Sequence, residues 1–249
     1  MEKGTPLLEL TGITKNFGGI SVLTDLALRI SDKEIVGILG PNGAGKSTLF
    51  NVIAGVLRPS AGEIIFKGRD ISRMRAWDRC KLGIARTYQI PKPFAHMSVF
   101  ENVLVASVHG GGLPVAVARP RARMALERTG LLDHHALLAG SLKLLDLKRL
   151  ELARALASGP EILLLDEIAG GLTQAECNEL VALIRAINAE GTTIVWVEHV
   201  MEALRSACSR LIVLHNGNIV ADGVPEAVLA GEAVREVYLG KQAGAVCHG

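Results

Sequence analysis

No two of the four cysteines, Cys80, Cys177, Cys208 and Cys247, stand at CxxC spacing, so the sequence implies neither a zinc site nor a disulfide framework. The thiols fit a reduced, cytosolic compartment. Although hydrophobic residues make up 49% of the 249 positions, no uninterrupted apolar run approaches the roughly 18 to 20 residues of a membrane span. Any link to a membrane is therefore expected through a partner. The opening MEKGTPLLEL also lacks the basic-then-apolar layout of a signal peptide. Charge of one sign is missing too, because 27 Lys and Arg against 25 Asp and Glu leave a net charge of +2. The only basic cluster, Arg119, Arg121 and Arg123, reads as a solvated helix face, so a dedicated nucleic-acid binder is not expected. Internal repeats and low-complexity segments are absent. The length suits one large domain or one domain carrying an inserted lobe.

What is present is a glycine-rich loop in a telling context. GPNGAGKST at 40–48 follows the apolar run IVGIL at 35–39 and precedes an apolar-periodic stretch, the strand, loop, helix order that a P-loop requires. Gly40, Pro41, Asn42, Gly43, Ala44, Gly45, Lys46, Ser47 and Thr48 are accordingly expected to cradle a nucleoside triphosphate. The glycines let backbone N–H groups curl around phosphates, and the following helix adds the positive end of its dipole. Lys46 is expected to reach the β- and γ-phosphates, and the Ser47 hydroxyl to ligate Mg²⁺.

Around this loop the hydrophobic pattern alternates between strand and helix. Residues 7–30 read as strands, with Leu26, Leu28 and Ile30 alternating against Ala27 and Arg29, and predict an antiparallel layer. The run 35–39 reads as a buried parallel strand, 48–54 as a helix, and 64–66 as a strand turning at Lys67, Gly68 and Arg69. Between about Pro91 and Pro160 helical spacing dominates, as in Val99, Val103 and then Met124, Leu126 and Leu131. This stretch reads as an inserted helical lobe, with Gly110, Gly111, Gly112 and Pro114 forming a loop inside it. Strands at 162–165, 192–197, 211–214 and 219–221, with a helix at 176–187, then imply a mainly parallel sheet. The expected organisation is an α/β core over 1–90 and 161–240, a helical subdomain over 91–160 and a tail over 241–249.

The second chemical signal is ILLLDE at 162–167, an apolar strand ending in two acids. At the C-terminal end of a strand these carboxylates would face the P-loop across the crevice where open α/β sheets bind ligands. Asp166 is placed to hold Mg²⁺, and Glu167 to polarise an attacking water as general base. His199, closing VWVEH at 195–199, leaves another strand and would hydrogen-bond the γ-phosphate and orient that water. Gln89, where the α/β texture gives way to the lobe, would sense Mg²⁺ or the water. Phe17 would stack on adenine, or would instead be a core residue of the antiparallel layer.

With Phe17, the P-loop, Gln89, Asp166, Glu167 and His199 in this order, the chain resembles the nucleotide-binding subunit of ABC transporters over nearly its whole length. More narrowly it is similar to the bacterial branched-chain amino acid importers' ATP-binding proteins of the LivG type. The stretches that carry this are FGGISVLTDLALRI, EIVGILGPNGAGKSTLFNVIAG, LGIARTYQIPKPF with SVFENVLVA, and the ending EVYLG. The branch also includes importers of urea and other amides. The resemblance implies an α/β P-loop NTPase fold of the ABC ATPase kind, with an N-terminal antiparallel β layer and an inserted helical subdomain. It further implies ATP and Mg²⁺ as cofactors, and hydrolysis coupled to solute uptake. The implied partners are a second, LivF-like ABC ATPase subunit, two transmembrane permease subunits and an extracytoplasmic substrate-binding protein, with no nucleic acid. The implied location is the cytoplasmic face of the bacterial inner membrane, where the lobe beginning near Gln89 would contact the permease.

The sequence departs from the family pattern in three places. The signature, usually LSGGQ just before the RLELARAL helix, is LKLLD at 142–146. Leu144 and Leu145 add bulk where small residues permit close approach to the opposite subunit's γ-phosphate. Lys143 would replace lost hydrogen bonds with a charge, and Asp146 would oppose it. Ile168 stands where proline is usual, and Thr173 where Asp or Asn is usual. These departures suggest pairing with a related but non-identical subunit. A mechanochemical ABC ATPase acting on nucleic acid or ribosomes is a competing reading, but the chain lacks the tandem domains and coiled-coil insertions usual there. Glu167 argues against a third reading, a non-hydrolytic nucleotide sensor.

Overall fold

The computed structural model describes residues 6–232 and 234–235. The EVYLG stretch, Cys247 and the expected tail over 241–249 lie outside the described residues. The chain divides into two compact units, one from Met1–Arg73 with Val195–Gly249 and one from Met74–Ile194.

The first unit opens with β1 (Leu8–Phe17) and β2 (Ile20–Ile30), an antiparallel hairpin closed by Gly18 and Gly19. Leu26, Leu28 and Ile30 are buried while Ala27 and Arg29 are exposed, so the period-two pattern sets which face meets the core. β3 (Ile35–Leu39) is wholly buried. It leads through the P-loop into α1 (Lys46–Ile53), which starts two residues before the apolar periodicity because polar Lys46 and Ser47 form its first turn. β4 (Ala61–Phe66) and the short β5 (Arg69–Asp70) complete an antiparallel sheet of order β2-β1-β4-β5.

In the second unit, α2 (Ala76–Lys81) precedes β6 (Ile84–Arg86). Helices then follow one another. α3 (Val99–Val105) is capped by Ser98 and Glu101 in a reciprocal capping box and runs into a π-helical turn, Ala106–Gly110. Gly110 thus belongs to a helical turn, and the glycine loop starts only at Gly111. α4 (Val115–Arg128) buries Ala118, Ala122, Ala125 and Leu126. Met124 is 60% exposed, contrary to the spacing expected of it, because the i, i+4, i+7 stripe through the alanines excludes position 124. Arg119, Arg121 and Arg123 are exposed, as a solvated face requires.

Two 3₁₀ turns, Leu132–His134 and Ala139–Ser141, lead to α5 (Leu144–Ala157). β7 (Ile162–Asp166) pairs in parallel with β6, matching Ile84 to Ile162 and Arg86 to Leu164. α6 (Gln174–Ala189) begins at a second capping box, between Thr173 and Glu176.

β8 (Thr193–Val197), buried throughout, carries the chain back into the first unit. There α7 (Met201–Ala207) precedes β9 (Arg210–His215), which runs parallel to β3 and forms an antiparallel hairpin with β10 (Asn218–Gly223). α8 (Pro225–Ala230) follows, with proline at its start where the missing N–H does no harm.

Candidate active site

β9 fixes how β3 delivers the chain into the P-loop. Leu39 pairs with Val213, and a Cβ on Gly40 would lie 2.3 Å from the Leu214 carbonyl oxygen, so only glycine fits. The middle of the loop is held by Gly217 N–H donating to the Ala44 carbonyl at 3.0 Å and by Ala44 N–H donating to the Pro41 carbonyl at 3.1 Å. Gly45, at φ 105°, is the N-cap of α1 and supplies no side-chain cap. The first N–H groups of α1 therefore have no capping side chain, the condition in which a helix start receives an anion.

Lys46 is only 6% exposed, and its ammonium donates to the carbonyls of Gly40 at 2.6 Å and Pro41 at 3.0 Å. These contacts anchor the ammonium at the start of the loop, between β3 and α1. Asn42, Gly43 and Ser47 are exposed, and Pro41 and Thr48 are half-buried.

Two other expected residues lie in the same unit. Phe17 closes β1 at 46% exposure, with the Lys15 ammonium 5.0 Å from its ring centroid. This rules out the core reading of Phe17 and leaves an accessible aromatic face. Glu198 N–H donates to the Ile38 carbonyl at 3.4 Å. His199 therefore leaves β8 beside the end of β3, two residues short of Gly40. Its imidazole is exposed, with Nδ1 3.9 Å from a Glu198 carboxylate oxygen.

The second unit brings Gln89 and Glu167 together: the amide Nε2 donates to Glu167 Oε2 at 2.6 Å. Glu167 has φ 45°, a left-handed conformation that costs a residue with a Cβ on the order of 1–3 kcal/mol. Such strain is common where a side chain must be aimed. One residue earlier, Asp166 receives Arg86 Nη2 on Oδ2 at 2.6 Å, and its N–H donates to Thr87 Oγ1 at 3.3 Å. The parallel pairing of β6 with β7 explains both contacts, since it sets the ends of the two strands side by side.

Several residues that the sequence reading missed surround this pair. Lys148 donates to the Gln89 carbonyl at 2.7 Å. Glu151 accepts the Lys92 N–H at 3.1 Å, and Arg154 donates to the Lys92 carbonyl at 3.0 Å and to Glu151 at 2.8 Å. The available signal was the spacing of these charges, three apart along α5. Their partners, some 60 positions away, leave no trace in the local sequence.

The LKLLD segment straddles a boundary. Leu142 and Lys143 precede α5, whereas Leu144, Leu145 and Asp146 already form its first turn. Asp146 does not stand as an uncompensated acid, because Arg149 Nη1 lies 3.3 Å away. Lys143 is exposed as the N-cap residue. Leu144 packs on the backbone of Gly171, where an added Cβ would lie 3.1 Å from Leu144 Cδ2. Ile168 is fully buried. Thr173 does what Asp or Asn would do at an N-cap: its hydroxyl accepts the Glu176 N–H.

The ABC transporter family matches residues 23–170. The high-affinity branched-chain amino acid transport ATP-binding protein LivG of Salmonella typhimurium is 36% identical over 95% of this chain and 98% of its own. BraF of Pseudomonas aeruginosa, described in the same words, is 34% identical with the same coverage. Among solved structures, the ADP conformation of an ATP-binding cassette of an ABC transporter superposes with a TM-score of 0.88 at 29% identity, covering 95% of this chain and 99% of that one. With the P-loop, the strand-end acids and a match of this extent in hand, the chain belongs to the ABC transporter family, as one of its ATP-binding, ATP-hydrolysing cassettes.

Proposed function

We propose that this cassette drives an importer of branched-chain amino acids or a related small polar solute. The observation that carries the reading is 36% and 34% identity to branched-chain amino acid transport subunits over 95% of this chain and 98% of theirs. In this reading the residues of the P-loop, 40–48, hold the triphosphate, Lys46 engages the β- and γ-phosphates, and Phe17 offers its exposed face to adenine. Glu167 takes a proton from the attacking water, His199 orients that water toward the γ-phosphate, and Gln89 positions the Glu167 carboxylate through the 2.6 Å hydrogen bond.

Mg²⁺ is the cation of this reading, with ligands drawn from each unit. Ser47, Asp166 and the Gln89 amide offer hard oxygen ligands. Since Gln89 Nε2 is turned to Glu167 and Asp166 Oδ2 to Arg86, a cation would use Gln89 Oε1 and Asp166 Oδ1. Among the described residues no group of three or more His, Cys, Asp or Glu could hold a metal by itself. When bound, Mg²⁺ neutralises charge on the β- and γ-phosphates.

The partners in this reading are a related second ATPase subunit, two permease subunits and an extracytoplasmic binding protein. The helices over 91–160 form the subdomain that meets the permease. The chain itself sits at the cytoplasmic face of the inner membrane and is held there by the permease. Among the described residues no helix is long and apolar enough to cross a membrane. The test is ATP turnover in liposomes containing the permease and both ATPase subunits, with a leucine-loaded, a urea-loaded or an empty binding protein. Stimulation by the leucine-loaded protein is expected. Stimulation by the urea-loaded protein alone would move the substrate to amides, and none by either would overturn the importer assignment.

A further inference from the structure

α5 touches two loops along one stripe. Leu144, Lys148 and Glu151 fall at i, i+4 and i+7, a row that covers about 10 Å of helix axis. The first packs on Gly171, four residues beyond Glu167. The second, 3% exposed, donates its ammonium to the Gln89 carbonyl. The third, 5% exposed, accepts the Lys92 N–H, and Arg154 braces both Glu151 and Lys92 from the next turn. The Arg154 guanidinium also lies 5.5 Å from the Phe94 ring centroid. Gln89 is thus held at both ends: Lys148 grips its carbonyl, and its amide grips Glu167.

A helix that needed only to pack would carry apolar side chains at 148 and 151. Burying an ammonium and a carboxylate costs several kcal/mol each before their partners compensate. A charge-assisted bond to a backbone carbonyl fixes direction as well as distance. We infer that Lys148 is a positioning residue for ATP hydrolysis: it sets the main chain at Gln89, and through the Gln89 amide it aims the Glu167 carboxylate. The first turn of α5, residues 144–146, and the general base then respond together. Any load placed on that turn by a partner subunit passes along a rigid helix to the group that activates water. The inference rests on Glu167 acting as the base.

The experiment is a double-mutant cycle in the full chain assembled with its permease and partner subunit, reading kcat and KM for ATP, with binding followed by a fluorescent ATP analogue. Lys148→Met is expected to lower kcat by about 10- to 100-fold, the scale of a misplaced catalytic group, with KM and ATP affinity held within about twofold. Lys148→Arg, which still donates to a carbonyl, recovers most of the rate. Gln89→Ala lowers kcat comparably, and combining it with Lys148→Met costs no more than the worse single change, because both act through one link. Multiplying losses, a raised KM with intact kcat, or an unimpaired Lys148→Met would each overturn the inference. If Lys148→Met fails to fold, Lys148→Gln enters the same cycle with the same outcomes. Normal turnover of Glu167→Gln in the same assembly overturns the base assignment itself, which separates that failure from this one.

Discussion

Arg86 Nη2 lies 2.6 Å from Asp166 Oδ2, and the two side chains are 11% and 9% exposed. A carboxylate this far from water needs its cation. Arg86→Met should therefore destabilise the protein by about 3–5 kcal/mol, the range for removing one partner of a buried pair, as read by urea unfolding. Adding Asp166→Asn should recover part of the loss. If Arg86→Met unfolds like the parent, the pair is not an essential neutralisation.

Binding and turnover should separate between the P-loop and the strand-end acid. Lys46→Ala removes the cation over the Gly40 and Pro41 carbonyls and should weaken ATP affinity. Glu167→Gln keeps a side chain of the same shape beside Gln89 and should leave affinity nearly unchanged, while turnover falls by about 10²–10⁴. A Glu167→Gln variant that hydrolyses ATP at the normal rate would show that another group is the base.

Thr173 caps α6, and its substitution should register as stability rather than chemistry. Its backbone N–H and hydroxyl hold the Glu176 carboxyl below the usual carboxylate range. Thr173→Ala should cost about 1 kcal/mol, and Thr173→Ser should cost little. Because the Glu176 pKa is lowered in the folded state, the contribution of that carboxylate is present above its unfolded pKa and fades as pH falls through the folded one. Chemical unfolding of Thr173→Ala at neutral and acidic pH should show the gap to the parent narrowing in acid.

Alkali should find a weak point at Cys208. Burial beneath β3, where a Cβ on Gly37 would lie 3.0 Å from its Sγ, pushes the thiol from 9.0 up to about 12. The folded state keeps a proton that the unfolded chain releases, so stability is full below pH 9.0 and declines toward pH 12. The slope is about 1.4 kcal/mol per pH unit. Cys208→Ala should remove that share of the alkaline slope, as measured by urea midpoints between pH 8 and 10. An unchanged slope would assign the alkaline loss to other groups.

Much of this was legible in the primary structure because local pattern carried it. The P-loop stood between an apolar run and a periodic one, and the alternation of Leu26, Leu28 and Ile30 gave the buried face of β2. The two capping boxes, Ser98 with Glu101 and Thr173 with Glu176, carry S/T-x-x-E spacing, a local signal that the hydrophobic pattern alone does not show. Other features depend on tertiary contact. Arg86 meets Asp166 across 80 positions, and Lys148 meets Gln89 across 59. Nothing in the nearby residues of either pair announces its partner. The acid at Asp146 is legible in the sequence, whereas the Arg149 guanidinium that faces it is a contact of the folded helix.

The constraint on Gly40 bears on how genetic lesions in this protein should be interpreted. Every missense change at that codon adds at least a Cβ, and that atom strikes the Leu214 carbonyl at 2.3 Å before any nucleotide is involved. A null allele at position 40 therefore reports on the seating of β3 against β9. Alleles at Ser47, whose side chain is exposed, are the ones from which a defect in handling phosphate can be inferred.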